Sequence, residues 1–512
     1  MAQINTHLNR HQYSHYDLPM KRTPSGIAPV FAIRKGAPAS LYRQVYDGYR
    51  DAIVRGRLQA GQRVPSTRVL AQELGISRMP VLSAYSQLLA EGYFESRVGS
   101  GTVVSKSLPG RTAANEEAGS VSRTMNRGRR QVAKRCFGLP VARSFHASRG
   151  SGPFSVSQIA FEHFPLTIWN GLVTRHARSV QSKSLDYGDP MGLRELREAI
   201  ASYLRTSRAV RCEARQVMIV SGSQQALEMG ARVLLDPGDR VWMEEPGYRF
   251  ARSVFAYSGC VVVPVGVDGE GLDVAAGAKK CGDARVALVT PSHQYPLGVT
   301  MSAARRLQLL DWAESNGSWV IEDDYDSEYR YEGLPVTSLQ GLDRNSRVIY
   351  IGTFSKVLFP SLRLGYLVVP EDLVELFLAA RFSLDICPAT FHQAVLADFI
   401  DEGHFARHIR RMRLVYAERR TALIESLRKQ LGAAAKITGT EAGMHLSTLL
   451  EGISDREISA RAAREELRLV PLSPFYLGEP TRQGFVLGFG STPVEQIPGA
   501  VHKLRTLLNS YS

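Results

Sequence analysis

The sequence predicts two folded parts of different class: a small amino-terminal winged helix-turn-helix and a large α/β part with a mostly parallel sheet. The first prediction comes from the order of helix, short turn, helix and Gly-Ser-Gly hairpin between residues 66 and 105. The second comes from short apolar runs that alternate with helical stretches from about residue 153 onward. A chain of 512 residues is also too long for a single core, so two or three domains are expected.

The amino-terminal part shows three predicted helices and a hairpin. Apolar residues recur every four residues in "LYRQVYDGYRDAIVRG", which predicts an amphipathic first helix that Gly56 can end. Ser66 is placed to cap a second helix that stops at Gly75, and Ser77 to cap a third that stops at Gly92. Two short strands then predict a hairpin, the wing: residues 93–97 and 102–105.

The residues expected to contact DNA lie at two helix starts and in the wing. Arg78 lies in the first turn of the third helix, where proteins that bind the major groove place their contacting side chains. Arg68 lies in the first turn of the second helix, and the N–H groups beside Ser66 and Ser77 suit a phosphate. The wing turn that lets the backbone approach DNA is Gly99, Ser100 and Gly101.

Residues 64–102 resemble the GntR family of winged helix-turn-helix regulators. The matching stretches are "VPSTR", "LAQELGISR", "AYSQLLAEGY" and "GSGT", in the order that the family has them. The resemblance implies that this part binds double-stranded DNA. Pro80 stands where the family usually has a small β-branched residue, and it removes an N–H that Ser77 or a phosphate could use.

The charge is concentrated between the two parts. The net charge is +14, which is compatible with a polyanionic partner. Residues 106–152 hold ten Lys or Arg against two Glu and show no sustained periodicity, which predicts a flexible basic linker. The expected organisation is therefore an extension at 1–26, a winged helix-turn-helix at 27–105, this linker, and an α/β domain at 153–512.

The composition excludes several classes of protein. The first 26 residues lack the apolar segment of a secretory signal, and no apolar run approaches the roughly 18 residues that cross a bilayer, so a cytoplasmic protein is expected. The five cysteines are scattered without a C-x-x-C pair. They are expected to be reduced thiols, not a disulfide framework or a zinc site.

Polar residues follow four of the predicted strands in the α/β part, at the ends where such sheets bind ligands. After "VMIV" comes a small-residue turn with Ser223, which opens a helix and suits a phosphate. Tyr248 follows "RVWME", and the acids beginning at Asp323 follow "WVIE". Lys356 and Arg363 follow "RVIYI". Each has an ordinary alternative when taken singly: a strand-to-helix connection, a core tyrosine, a metal site or a surface lysine.

The four strand ends together match one small molecule, pyridoxal 5′-phosphate. Its aldehyde needs a lysine, and its phosphate needs a helix start with an arginine. Its ring needs an aromatic neighbour, and its ring nitrogen needs a carboxylate. A lysine in a partly dry site is expected to have a lowered pKa, which favours a Schiff base.

Nearly all of residues 153–512 resembles the fold-type I aminotransferases. The stretches that carry the resemblance are "DYGDPMGLRELREAIASYL", "SGSQQAL", "EEPGY", "TPSHQYPLG", "IEDDYDSEY" and "GTFSK" with "LRLGY". Joined to a GntR-type part, this region resembles the MocR family of bacterial transcription regulators. The resemblance implies a pyridoxal-phosphate-binding domain of the aminotransferase fold behind a DNA-binding domain.

The resemblance also implies a role for each matching residue. Lys356 would form the Schiff base, and Tyr325 would lie near the phenolic oxygen of the cofactor. Asp323 would face the ring nitrogen, with Asp324 as the open alternative, and Tyr248 would stack on the ring. The phosphate would be held by Ser223, Gln224, Thr353, Ser355 and Arg363.

Two further features follow from the family pattern. Tyr187 matches a tyrosine that reaches the phosphate of the neighbouring subunit, which implies a homodimer with shared sites. The aminotransferase stretch "N-P-T-G" is here Tyr295-Pro296-Leu297-Gly298, so its asparagine is absent. His293 or Gln294 is the candidate replacement.

A substrate-binding arginine is also missing. Enzymes of this fold often carry one on a late strand, but residues 485–489 contain none, and Arg482 and Arg249 are the candidate replacements. The expected function is therefore a DNA-binding regulator that senses an amine, an amino acid or a B6 vitamer through bound pyridoxal phosphate. The alternative is an active aminotransferase with an appended DNA-binding part.

Overall fold

The computed structural model describes residues 31–97, 101–106, 152–180, 185–333 and 336–511. The chain divides into two units, with the boundary between residues 129 and 130, and each unit is described by itself. We call the described residues of the first unit the head and those of the second unit the body. The predicted extension 1–26 and residues 107–151 of the predicted linker lie outside the described residues.

The head consists of three helices and a hairpin: α1 Leu41–Val54, α2 Thr67–Glu73, α3 Arg78–Ala90, β1 Phe94–Arg97 and β2 Gly101–Val104. The predicted elements are all present, and the two strands pair antiparallel with Phe94 opposite Val104. Apolar residues at helical spacing form one core. The ring of Tyr49 in this core meets the rings of Tyr85 and Phe94 edge-on, at centroid distances of 5.6 and 5.3 Å.

The helix caps of the head differ at the two helix starts. Ser66 caps α2, because its hydroxyl oxygen accepts a hydrogen bond from the N–H of Val69 at 3.3 Å. Gly75 follows α2 with a φ of 61°, which glycine adopts readily. Ser77 occupies the N-cap position of α3, but its side chain makes no capping hydrogen bond. The reason is Pro80, which lies three residues later and has no N–H to donate.

A sheet of eight strands forms the centre of the body: β3 Val217–Val220, β4 Arg240–Glu245, β5 Val261–Asp268, β6 Gly271–Leu272, β7 Val286–Val289, β8 Trp319–Asp324, β9 Val348–Thr353 and β10 Gly365–Val368. The strand order is β3-β10-β9-β8-β7-β4-β5-β6. The five strands from β9 to β5 are parallel to their neighbours, whereas β10 runs antiparallel between β3 and β9. The mostly parallel sheet is thus confirmed, and each of the six apolar runs forms a strand.

A second, antiparallel sheet has the order β11-β12-β14-β13: β11 Lys436–Thr438, β12 His445–Leu450, β13 Val470–Pro471 and β14 Gln483–Gly488. The helices of the body are α4 Leu166–Arg178, α5 Arg194–Ser207, α6 Ser223–Leu234, α7 Arg249–Tyr257, α8 Val274–Lys280, α9 Ala303–Ser315, α10 Leu339–Leu342, α11 Val374–Leu384, α12 Phe391–Asp401, α13 His404–Leu431, α14 Asp455–Arg464 and α15 Ile497–Asn509. Within the described ranges, no helix is long and apolar enough to span a membrane.

The large sheet is buried on both faces. Along β3 and β9, alternate side chains enter different apolar clusters, with Met218 and Ile349 in one and Ile219 and Tyr350 in another. Strands buried on both faces are continuous apolar runs, which is why these segments are recognisable in the sequence. Polar side chains of the sheet are consequently concentrated where the strands end.

Candidate functional site

The segments that follow β3, β8 and β9 lie along one edge of the large sheet. β8 and β9 are parallel neighbours, so their carboxyl ends meet at this edge. β10 begins there, because Gly365 lies opposite both Val220 at the end of β3 and Thr353 at the end of β9. The structure therefore brings together most of the residues that the sequence singles out.

An anion cradle lies at the start of α6. Gly222 precedes the helix with a φ of 115°, and a Cβ atom placed there would lie 3.5 Å from both Nη atoms of Arg363. Arg363 itself has a left-handed φ of 52°, which directs the chain back toward β10. The first N–H groups of a helix have no partner within the helix and carry partial positive charge. Guanidinium and helix start together favour a phosphate.

Polar atoms without partners lie in the predicted phosphate-binding segments. The Oγ of Ser355 and the Oε1 of Gln224 are buried and have no hydrogen-bond partner among the described residues. Thr353, also buried, accepts a hydrogen bond at its Oγ1 from the N–H of Ser355 at 3.2 Å. Because a buried polar atom without a partner is costly, these atoms indicate a site that is completed by a ligand.

The structure distinguishes the two neighbouring acids. Asp324 is a structural residue, because its Oδ2 accepts hydrogen bonds from Arg208 at 2.9 Å, Ser327 at 2.9 Å and the hydroxyl of Tyr350 at 2.6 Å. Its neighbour points to the opposite face of β8. Among the described residues, Asp323 accepts one side-chain hydrogen bond, a long one of 3.4 Å from the Oγ of Ser223.

Asp323 is a weaker acid than an ordinary aspartate. The residue is 6% exposed. This burial, and next the charge of Asp324, raise the pKa of Asp323 to about 7. A cationic ring nitrogen would stabilise the ionised form of such a carboxyl group. Geometry and acidity therefore favour Asp323 over Asp324 as the partner of a ring nitrogen.

Lys356 lies in the turn that follows β9 and is half-buried. Its positive charge opposes the rise in the pKa of Asp323, so the amine and the carboxylate lie in the same site. It also contributes, after burial and His293, to lowering the pKa of His445 well below its usual value. The charge of the lysine therefore acts on both Asp323 at the end of β8 and His445 of the second sheet.

Three tyrosines line the same region. The ring of Tyr295 meets those of Tyr248 and Tyr325 nearly at right angles, with centroid distances of 6.0 Å in both cases. Tyr248 ends the loop before α7. Its pKa is raised by burial and by the charge of Asp323, so this tyrosine and that carboxylate belong to the same electrostatic environment. A flat ligand at this edge would have an aromatic neighbour.

The two candidate replacements for the missing asparagine have different surroundings. The amide nitrogen of Gln294 donates to the carbonyl oxygens of Pro246 and Tyr295 at 2.9 and 2.8 Å, and to Glu244 at 3.2 Å. Its amide nitrogen is thus committed to holding the loop. His293, by contrast, lies 3.2 Å through its Nδ1 from the hydroxyl of Tyr325. The structure favours His293 as the residue that acts in the site.

The two candidate arginines also differ. The charge of Arg249 lowers the pKa of both Tyr248 and Tyr295, against the larger effect of burial, and its Cζ lies 4.9 Å from the centroid of the Phe250 ring. Arg482 donates to the carbonyl oxygen of Val267 at 3.1 Å. Of the two, Arg249 is the one whose charge acts on the tyrosines of the site.

Tyr187 is not brought to the other predicted residues within one chain. Its side chain is 79% exposed. It lines an open groove formed by residues 185–188 and 387–390, and none of the other predicted site residues lines that groove.

Sequence reasoning missed several residues that shape the site. Arg208 holds Asp324 from 116 positions earlier in the chain, where no motif marks it. Gly222 had a signal, because a glycine between a strand and a helix often allows close approach to a ligand. His445 comes from β12 and is 3% exposed. The available signal was a histidine at the start of a largely apolar strand.

The predicted DNA-binding residues of the head lie at its surface. Arg68 and Arg78 are exposed, and the Nε of Arg78 donates to the Oγ1 of Thr67 at 3.1 Å, which links the starts of α2 and α3. Gly101 has a φ of 78°, and a Cβ there would lie 3.3 Å from the guanidinium of Arg63. Two wing residues, Gly99 and Ser100, lie outside the described residues.

Comparison with known proteins identifies both parts. Residues 41–104 match the model of bacterial regulatory proteins of the gntR family, and residues 166–486 match that of aminotransferases of class I and II. A crystal structure of kynurenine aminotransferase from Pyrococcus horikoshii matches with a TM-score of 0.69 and 29% identity, over 74% of this chain and 97% of the other. Fold and site thus define a DNA-binding regulator head joined to an aminotransferase body.

Two relatives share this two-part organisation along most of their length. The probable rhizopine catabolism regulatory protein MocR of Rhizobium meliloti is 39% identical over 481 residues, which is 93% of this chain and 95% of the relative. The pyridoxine biosynthesis transcriptional regulator PdxR of Corynebacterium glutamicum is 30% identical over 460 residues, 90% and 94% of the two chains. The chain belongs to the MocR-type transcription regulators of the GntR family. Membership implies DNA binding, and the aminotransferase fold implies dependence on pyridoxal phosphate.

Proposed function

We propose that this transcription regulator holds pyridoxal phosphate at the edge of its large sheet and responds there to an amine, an amino acid or a B6 vitamer. One observation supports the proposal above all. An anion cradle, a half-buried lysine and a buried carboxyl group with a raised pKa meet at one edge of the sheet, in a chain of a regulator family. Each of these features has a counterpart in the cofactor.

Different residues of this chain would bind different parts of the cofactor. The start of α6, Arg363 and the hydroxyl of Ser355 would bind the phosphate. Asp323 would face the ring nitrogen, and Lys356 would bond to the aldehyde carbon. The aromatic neighbour of the ring would be Tyr248. When bound, the cofactor supplies an electrophilic carbon that condenses with primary amines.

The effector is expected to meet the cofactor beside Arg249. A guanidinium next to a partly buried aromatic wall suits a carboxylate, which an amino acid carries and an unphosphorylated B6 vitamer lacks. This placement favours an amino acid over an unphosphorylated vitamer as the effector. An exchange of the amine bound to the cofactor would then change the contacts between Lys356 and its surroundings, which is a differential interaction able to shift a conformational equilibrium.

Two parts of the proposal concern organisation. We propose the domains 27–105 and 153–512, joined by the basic linker 106–152. We further propose a homodimer in which Tyr187 reaches the site of the partner subunit, since this side chain is exposed in a single chain. The linkers would convert a change in the bodies into a new spacing of the two heads on DNA.

The test uses the purified full-length protein and two measurements. Amino acids, amines and B6 vitamers are titrated in while the absorbance of the Schiff base is followed. The same mixtures are then used in gel shifts with the DNA upstream of its own gene, at low salt, where phosphate contacts are strongest. We expect one class of ligand to change both readouts. A protein that neither binds this DNA nor shows the Schiff-base absorbance would contradict the proposal.

A second candidate function is transamination. It is favoured by the retained Lys356 and Asp323, and by the likeness to an aminotransferase structure at 29% identity. Steady multiple turnover with a panel of amino donors and keto acids would support an enzyme. A single conversion of the cofactor without turnover would support the sensor.

A further inference from the structure

A buried hydrogen-bonded pair lies behind Tyr325. The Nδ1 of His293 is 3.2 Å from each carboxylate oxygen of Asp326, and the two side chains are only 1% and 2% exposed. The same Nδ1 lies 3.2 Å from the hydroxyl oxygen of Tyr325. The tyrosine hydroxyl in turn donates to the backbone carbonyl oxygen of His293 at 2.8 Å.

The contacts fix where the protons lie. A carboxylate only accepts hydrogen bonds, so the Nδ1 of His293 carries a proton that Asp326 and the oxygen of Tyr325 share. The Nε2 of His293 is buried and has no hydrogen-bond partner among the described residues. A proton on that atom would be a buried donor without an acceptor, so the hydrogen bonds favour the tautomer that carries its proton on Nδ1.

The backbone is built around this pair. Gly443 has a φ of 75°, and a Cβ there would lie 2.1 Å from the Nδ1 of His293 and 2.6 Å from a carboxylate oxygen of Asp326. The N–H of Met444 also donates to Asp326 at 3.3 Å. The pair can therefore shift little without moving the loop before β12, which makes it a rigid support.

We propose that His293 and Asp326 are positioning residues: the Nδ1 proton of His293, held by Asp326, is donated to the hydroxyl oxygen of Tyr325, and the single proton of that hydroxyl turns from the carbonyl oxygen of His293 to the cofactor when the cofactor binds. Of the two candidate replacements for the missing asparagine, His293 is thus the one that acts in the site, while Gln294 holds the loop. The inference rests on the proposed cofactor, because Tyr325 is the residue expected near its phenolic oxygen. The physical effect is that a donor at that oxygen stabilises its anionic form and weakens its hold on the Schiff-base proton.

Several charged or titratable groups face this hydroxyl. They are Asp326, Tyr295, Asp323 and Glu244 around Tyr325, His445 with its ring centroid 4.6 Å from that of His293, and Lys356, whose charge acts on His445. The size of one change in the Schiff-base pKa therefore cannot identify its cause. A change is attributed to His293 and Asp326 only if it depends on the presence of the Tyr325 hydroxyl. A double-mutant cycle with Tyr325→Phe provides that coupling.

The experiment compares two replacements of similar polarity in the full-length protein. His293→Asn places an amide N–H near the position of Nδ1, whereas His293→Gln places it near that of Nε2. We measure the pKa of the Schiff base from its absorbance, with Tyr325 present and with Tyr325→Phe. We expect His293→Gln to raise that pKa by about one unit, about a tenfold change in the protonation equilibrium. His293→Asn should stay near the wild-type value, and neither should add to Tyr325→Phe.

The outcomes separate this inference from the proposed function. If the wild-type protein shows no Schiff-base absorbance, the proposed cofactor fails, and the positioning role fails with it. If the absorbance is present and the effect of His293→Gln persists in full beside Tyr325→Phe, only the positioning role is overturned. Should His293→Gln not fold, Asp326→Asn carries the same test, because it weakens the hold on the Nδ1 proton and leaves the imidazole in place.

Discussion

The head and the body place their functional residues in opposite surroundings. In the head, Arg68 and Arg78 lie exposed in the first turns of short helices, ten positions apart in the chain. In the body, Asp323 is almost fully buried and meets Ser223 from 100 positions earlier. The head therefore needs only local structure to present its contacts to DNA. The body needs its whole sheet to assemble a small-molecule site.

This difference predicts how separable the two activities are. A single exposed side chain of the head can be removed without disturbing a core, so its loss should affect DNA binding alone. A polar residue of the body is buried for its function, so its removal should change both cofactor binding and stability. Substitutions in either part can therefore test whether DNA binding and cofactor binding are separable.

The largest effect is expected from Lys356→Ala. Because no other amine is proposed to bond to the cofactor, the variant should lose the Schiff-base absorbance entirely. Its affinity for the upstream DNA without effector should stay within a few fold of wild type, since the head is unchanged. Absorbance spectra and gel shifts check the two expectations, with Lys279→Ala, an exposed lysine of α8, as the control. Loss of DNA binding together with the absorbance would break the comparison.

Asp323→Asn should stabilise the cofactor-free protein in a pH-dependent way. The folded-state pKa of Asp323 is raised from 3.8 to about 7. Its contribution to stability is therefore fully present below about pH 3.8. It is lost as the pH rises through 7, because only the unfolded chain ionises readily. Asparagine cannot ionise, so the advantage of the variant should grow by about 2–3 kcal/mol between pH 5 and pH 8.

Denaturant unfolding of the cofactor-free protein at both pH values checks the Asp323→Asn prediction. Asp311→Asn makes the same replacement at an exposed position of α9 and is the matched control. The variant should also bind the cofactor more weakly, because it loses the carboxylate expected to face the ring nitrogen. If Asp323→Asn were stabilised equally at pH 5 and pH 8, burial of the Asp323 carboxyl group would not reduce the stability of the wild-type protein as that group ionises.

The same comparison explains what the sequence could predict. The helices of the head and six strands of the large sheet follow from periodicity and from capping residues, which are local. The predicted side-chain cap of α3 by Ser77 was wrong, and the cause is also local. Pro80 lacks the N–H that would donate to the Ser77 hydroxyl.

In the body, motifs indicated the strand-end residues but not their neighbours. The choice between Asp323 and Asp324 depends on Arg208 and Tyr350, which approach from distant segments. The role of His293 likewise depends on a loop of the second sheet. Such contacts arise only when the sheet is assembled, so no local pattern announces them.

Arg78→Ala should give the converse of the lysine variant. Its side chain is exposed at the start of α3, so its loss should lower the affinity for the upstream DNA by about tenfold or more. The Schiff-base absorbance and the melting temperature should not change. Arg55→Ala removes the same charge from an exposed position after α1 and should cost less. A changed absorbance in Arg78→Ala would mean that head and body are not separable.

The smallest effect concerns Met79, whose side chain is 67% exposed in the first turn of α3. An apolar side chain beside Arg78, at a helix start that we expect to enter the major groove, suits the methyl group of a thymine. One buried methyl group contributes about 0.8 kcal/mol, or about fourfold in affinity.

Replacing thymine by uracil in the upstream DNA removes these methyl groups and should weaken the wild-type protein by about that factor. Met79→Ala should bind both duplexes equally, whereas Arg78→Ala should still distinguish them, as gel shifts with the two duplexes would measure. If Met79→Ala distinguishes the duplexes as well as the wild type does, the thymine methyl groups are recognised elsewhere. The head would then depend on more than its local helix start.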